Sequence, residues 1–232
     1  MLIIKGLLGG LFQVAVLALF LLVPAGLIPG GTWLWERALI FLGVYGVILE
    51  FTIVAFAVKV PDSLRARLDT RTSGGQSAGE RMVNGLLIPV LGAAMAFIPV
   101  DVFYLKLLPP PQLGVSVAGG VLVLVGFAIV AAAIYQNSFA VPRVEDQSER
   151  GQTLVDTGVY GVVRHPLYAG ILPYMAGLAL WLQSYAGLIV LVAPVALLIT
   201  RILVEEKTLR ETLPGYTEYV KRVRYRLVPF IW

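Results

Sequence analysis

Four separate runs of about 20 apolar residues, followed by one of about 36, occupy most of this 232-residue chain. A helix needs about 20 residues to cross the hydrocarbon of a bilayer, and in lipid only helices or closed barrels satisfy their own backbone groups. The runs therefore predict an all-α integral membrane bundle. Composition agrees: 14% of the residues are charged, against about 25% in soluble domains. The first four spans are predicted near Gly6–Ile28, Ala38–Val58, Gly85–Tyr104 and Leu113–Tyr135. Lys5 ahead of the first run resembles the start of a signal peptide, but the run exceeds a normal h-region and reads as a retained helix. The last run, Tyr168–Leu203, is too long for one span. Gln183 and Ser184 near its middle predict a tight hairpin of helices five and six.

Charge asymmetry tests that count. With six spans, 16 of the 18 lysines and arginines fall on one side, including Lys5, Lys59, Arg65, Arg67, Arg71, Arg81, Arg143, Arg150, Arg164 and all seven from Arg201 onward. Arg37 and Lys106 alone fall on the other. Five spans would set the last seven against the preceding nine. Six spans place both termini and the polar motifs in the cytoplasm, as a multi-pass protein.

Several functions are excluded early. There is no cysteine and one histidine, His165, so disulfides, thiol nucleophiles and a zinc site are not expected. No metal is predicted. The paired glycines form no GxGxxG after a strand, which excludes a Rossmann nucleotide domain. Residues Thr70–Gly79 read as a linker and Gln136–Arg164 as a mixed loop. The tail from Leu213 to Trp232 interleaves aromatic and basic residues and is expected to lie along lipid headgroups. Nucleic acid is not an expected partner; membrane lipid is.

Polar residues that could carry chemistry are few. Residues 160–170 read Tyr-Gly-Val-Val-Arg-His-Pro-Leu-Tyr-Ala-Gly. Pro166 forces His165 out of helical geometry, so Arg164, His165 and Tyr168 open helix five. Taken alone, they suit an interfacial anchor. Arg201 and Glu205 stand four apart on one face of helix six, directly after its apolar run, where a charge is costly unless paired or functional. The hairpin returns both clusters to one membrane surface. Glu50, inside the second span, is either a substrate-cavity carboxylate or a protonated packing residue. Asp101 is expected at the interface.

The string Thr153-Leu154-Val155, Gly158-Val159-Tyr160, then Arg164-His165-Pro166-Leu167-Tyr168-Ala169-Gly170, then Glu205-Glu206, Tyr216, Tyr219 and Arg222-Val223 resembles the isoprenylcysteine carboxyl methyltransferase family. The wider group includes membrane phospholipid N-methyltransferases. The resemblance covers about residues 136–232, leaving 1–135 as four less characteristic transmembrane helices. It implies a membrane enzyme that binds S-adenosylmethionine in a cytoplasmic pocket and methylates a lipophilic acceptor. It makes Gln152, Thr153, Leu154, Val155, Tyr160, His165, Pro166, Leu167, Tyr168 and Glu205 cofactor contacts. Arg201 would face the acceptor and, with Glu205, act in catalysis. Glu145 stands where the family often has glutamine, and Leu213-Pro214-Gly215-Tyr216 is one residue shorter than the family's pattern. Two other readings stay open: a membrane reductase using NADPH on an isoprenoid or sterol-like lipid, and a non-catalytic membrane protein with a pathway lined by Glu50.

Overall fold

The computed structural model describes residues 1–68, 78–139 and 152–232. Glu145, most of the Thr70–Gly79 linker, and Arg71, Arg143 and Arg150 of the basic set lie outside the described residues. The order is α1 (Leu2–Leu27), α2 (Glu36–Lys59), α3 (Pro61–Leu68), α4 (Ala78–Val100) and α5 (Leu113–Gln136). Then follow a 3₁₀ turn (Gly158–Gly161), α6 (Pro166–Trp181), α7 (Tyr185–Val190), α8 (Val192–Thr212) and α9 (Tyr216–Arg222). Among the described residues there is no strand. The protein is an integral membrane helical bundle.

Five segments are long and apolar enough to cross a bilayer: α1, α2, the Gly85–Leu105 part of α4 with its terminal π turn, α5, and α7–α8 together. The sixth expected span, α6, has 16 residues and is shorter than a full crossing. Both its ends are set locally. His165 has a non-helical ψ of 63° and Pro166 takes the first helical position, where its missing N–H costs nothing. At the other end Gln183 adopts a left-handed φ of 68°, and Ser184 caps α7 by accepting from the Gly187 amide at 2.8 Å. The hairpin turns where expected.

Small residues let α5 and α6 pack backbone to backbone and antiparallel, as is common between helices in lipid. A Cβ added at Gly126 would lie 2.5 Å from the Gly170 carbonyl oxygen and 2.6 Å from the Tyr174 amide. One at Gly177 would lie 2.5 Å from the Gly119 oxygen. These neighbours are backbone and cannot rotate away. Gly126→Ala is expected to destabilise the fold by about 2–3 kcal/mol, read as a fall in melting temperature in detergent. An unchanged melting temperature would show the helices to be further apart.

The main core joins α1, α2, α4 and α6 through Leu21, Phe41, Tyr45, Ile98, Leu178 and Leu182. At one end of the bundle, Arg37 donates to the Trp181 carbonyl and the Trp181 indole donates to the Arg37 carbonyl, both at 2.9 Å. At this same end Asp101, expected at the interface, is buried within the protein and accepts from the Ser184 hydroxyl at 2.6 Å. A buried carboxylate must find donors, and the hairpin turn supplies one.

The tail packs more closely than its sequence suggested. It folds back onto the bundle by its apolar face: Leu213, Tyr216, Tyr219, Val223 and Leu227 are buried. Its chain pairs with the turn before α6, through Arg164 N–H to Tyr225 O and His165 N–H to Arg226 O, each 2.9 Å. Its polar side stays at the surface, with Thr217, Glu218, Lys221, Arg222 and Arg224 exposed, as are Phe230 and Ile231 at the tip. Enough apolar side chain is spaced along the tail to cover part of α8, against Leu198, Ile202 and Leu209, and burying it stabilises this end of the fold.

Candidate active site

Glu206 organises the end of the bundle opposite Arg37. It lies on α8 and is 3% exposed. Its Oε1 accepts from Arg164 Nε at 2.7 Å and sits 3.3 Å from His165 Nε2. Its Oε2 accepts from Arg226 Nε at 3.2 Å and Nη2 at 3.1 Å. Arg164 Nη1 also donates to the carbonyls of Val223 and Arg224 at 2.8 and 2.7 Å. Arg164 is therefore a buried clamp joining α6, α8 and the tail, and not an anchor in lipid phosphates. A buried charge is retained when it is paired and hydrogen-bonded.

The neighbouring residue, Glu205, points elsewhere. Successive helical residues diverge by about 100°, so Glu206 faces the tail while Glu205 faces a cleft. Tyr168 donates its hydroxyl hydrogen to Glu205 Oε2 at 2.6 Å, and Arg201 Nε donates to the same hydroxyl oxygen at 2.8 Å. The Arg201 guanidinium also lies 5.6 Å from the Tyr168 ring centre. The phenol thus links the two α8 residues expected to share a face. Arg201 is only 4% exposed. His165 stacks on Tyr168 with ring centres 5.7 Å apart.

The cleft is lined from the loop, α6, α8 and the tail. Gln152, Thr153, Leu154, Val155, Tyr160, His165, Pro166, Leu167, Tyr168 and Glu205 all line it. Arg201 stands behind Tyr168. Tyr160 donates to the Ala133 carbonyl at 3.4 Å, and burial pushes its phenol up to about 12. Glu50 is not brought here. It is not among the cleft residues; its carboxylate packs against Gly10 of α1, and among the described residues neither oxygen has a hydrogen-bond partner.

Three lining or neighbouring residues had no expected role. Tyr216 and Tyr219 come from the tail that seemed destined for headgroups. Tyr219 donates to the Tyr160 carbonyl at 2.7 Å. Tyr216 is 3% exposed, lines the cleft, and among the described residues its hydroxyl has no partner. Burial holds both phenols well above their ordinary pKa. Arg67 of α3 interacts electrostatically with Tyr160 and Tyr168, and burial lowers its guanidinium to about 10. Nothing in the local sequence separates Arg67 from the exposed Arg65 two residues earlier, which pairs with Asp62 at 2.8 Å.

Chemically the cleft offers the Glu205 carboxylate, with Arg201 behind Tyr168 at its wall and Arg164 held by Glu206 at its edge, and the Tyr216 phenol, which has no partner among the described residues, all set among aromatic and aliphatic walls. That donor set suits a charged organic ligand rather than a metal, and among the described residues no three acidic or imidazole groups cluster for a metal. No curated protein and no solved structure matches the chain. Residues 115–214, which run from α5 through His165, Arg201 and Glu205 to the turn before α9, match the model of the phospholipid methyltransferase family, the wider group of membrane methyltransferases that the sequence motifs resemble.

Proposed function

We propose that this protein is an S-adenosylmethionine-dependent methyltransferase acting on a lipophilic acceptor held in the membrane. The observation that carries the reading is the Arg201–Tyr168–Glu205 link at the wall of the cleft. The residues present fit the cofactor. Glu205 is a carboxylate suited to an amino group, Leu154, Val155 and Leu167 offer apolar surface beside aromatic rings, and the Tyr216 hydroxyl, which has no partner among the described residues, suits a polar ligand group. When bound, S-adenosylmethionine supplies a methyl carbon that forms a bond to the acceptor while its bond to sulfur breaks and that electron pair stays on sulfur.

The chain's own residues then position and desolvate. Arg201 holds an acceptor carboxylate by paired N–H donors and aims one oxygen into the cleft. Tyr168, fixed between Arg201 and Glu205, sets the spacing of the acceptor and cofactor subsites. An ionised carboxylate needs no general base. Glu206, occupied by Arg164, His165 and Arg226, is committed to the fold, which favours an acceptor that arrives already ionised. The basic residues around this end support a cytoplasmic cleft.

Thermal shift with S-adenosylhomocysteine and with NADPH tests the reading on the full chain in detergent. A ligand at 100 times its Kd stabilises by about 2.7 kcal/mol, so S-adenosylhomocysteine is expected to raise the melting temperature and NADPH to leave it unchanged. A shift with NADPH alone would favour a reductase; no shift with either would favour a non-catalytic protein.

Tyr216→Phe sharpens the test. Removing a buried hydroxyl that has no partner among the described residues is expected to stabilise the ligand-free protein by about 1 kcal/mol. The same change is expected to weaken S-adenosylhomocysteine binding about fivefold, the loss of one ordinary hydrogen bond. Equal affinity in both proteins would place Tyr216 outside the cofactor subsite.

A further inference from the structure

Four of the residues that line the cleft, Gln152, Thr153, Leu154 and Val155, belong to one non-helical stretch, and that stretch is fastened at few points. Among the described residues, residues 152–156 make no backbone hydrogen bond. Their one polar side-chain tie, again among the described residues, is the ion pair of Asp156 with Arg222, the last residue of α9. Leu154 adds an apolar contact with the Leu213, Tyr216, Tyr219 and Val223 cluster. From Val159 onward the chain is held differently. The Val159 amide donates to Gln136 Oε1 at 2.9 Å, and the carbonyl of the buried Tyr160 accepts from Tyr219. Gly158 stands between the two stretches with a left-handed φ of 58°, which glycine adopts without steric cost. α9 itself is a fixed support, since its Tyr216 and Tyr219 are buried.

Resting on the methyltransferase reading above, we infer that Asp156 and Arg222 are positioning residues whose ion pair latches residues 152–156 onto α9 as a strap across the cleft. Cofactor and product pass when the pair opens and the strap turns about Gly158. The strength of the tie suits a latch. Arg222 is 63% and Asp156 34% exposed, and exposed pairs hold by a factor of about five at most. The Arg164–Glu206 pair, by contrast, is buried and holds the tail to the bundle. The Asp156–Arg222 pair therefore opens without loosening the helices. Asp156 follows directly on Val155 of the cleft wall, so its release frees that wall.

The test uses the whole chain in detergent, with Asp156→Asn, Arg222→Gln and a charge-reversed double variant that combines Asp156→Arg with Arg222→Asp. Release of radiolabelled S-adenosylhomocysteine into excess unlabelled ligand is expected to be about fivefold faster in each single variant. The double variant is expected to return to the wild-type rate. In 1 M sodium chloride, which screens exposed charges beyond about 3 Å, the wild type should release as fast as the single variants, and these should not respond to salt. Wild-type release rates in the single variants, or no recovery in the double variant, would overturn the inference. A second readout needs no ligand. Protease cleavage tracks the population of an open form. Proteinase K should therefore cut between Thr153 and Thr157, located by mass spectrometry, about fivefold faster in the single variants than in the wild type or the double variant. Equal cutting in all four proteins would also overturn it. A protein that binds no S-adenosylhomocysteine would defeat the proposed function, while the cleavage map would still decide whether the strap is latched.

Discussion

Glu206→Ala is expected to destabilise the protein by about 3–5 kcal/mol, because it leaves buried cations without their counter-charge. Arg164 is 6% exposed and shares this carboxylate with Arg226 and with His165. Without Glu206, Arg164 keeps its bonds to the Val223 and Arg224 carbonyls but not its charge partner. The tail should loosen from the turn before α6, and residues 223–232 should become sensitive to protease. Glu206→Gln preserves shape without charge and should fall between wild type and alanine. The exposed pair Lys221–Glu218 is the control, since such pairs contribute less than about 1 kcal/mol. If Glu206→Ala and Glu218→Ala melted alike, the buried network would not hold the tail.

Arg201→Ala is expected to lower methyl transfer on the order of 10³-fold, the scale seen when a donor that fixes reacting charge is removed, while the protein stays folded. Its affinity for S-adenosylhomocysteine should change little, because Glu205 keeps its own bond to Tyr168. Arg201→Lys retains the charge but not the planar fork and should recover only part of the rate. Glu205→Ala should show the reverse pattern, losing cofactor affinity first. Normal turnover in Arg201→Ala, measured with radiolabelled S-adenosylmethionine on native lipid extract, would remove Arg201 from the reaction. Glu206→Ala and Arg201→Ala together distinguish loss of the fold from loss of the proposed acceptor contact.

Much of the cleft's location was legible because it rests on local rules. Pro166 sets where α6 begins, and Gln183–Ser184 set where it ends. Once those turns are placed, Tyr168 and Arg201 must return to one end of the bundle. The ten residues singled out by motif come together along one cleft for the same reason. Other assignments were not local. Glu205 and Glu206 are identical in type and adjacent, yet one faces the cleft and the other the tail. Arg164 and Arg226 read as residues for lipid phosphates, while Asp101 read as interfacial; each found a partner 20 to 83 positions away. Tyr216, in a segment that looked like a surface tail, became a cleft wall.

By itself, the sequence determined the membrane class, five of the six expected spans and the hairpin, since hydrocarbon thickness and proline geometry act on consecutive residues and need no partner. Tertiary structure alone decided which carboxylate locks the fold and how the tail closes the site. Those outcomes depend on distances between helices, and the energy of burying a charge is set by whatever lies opposite it.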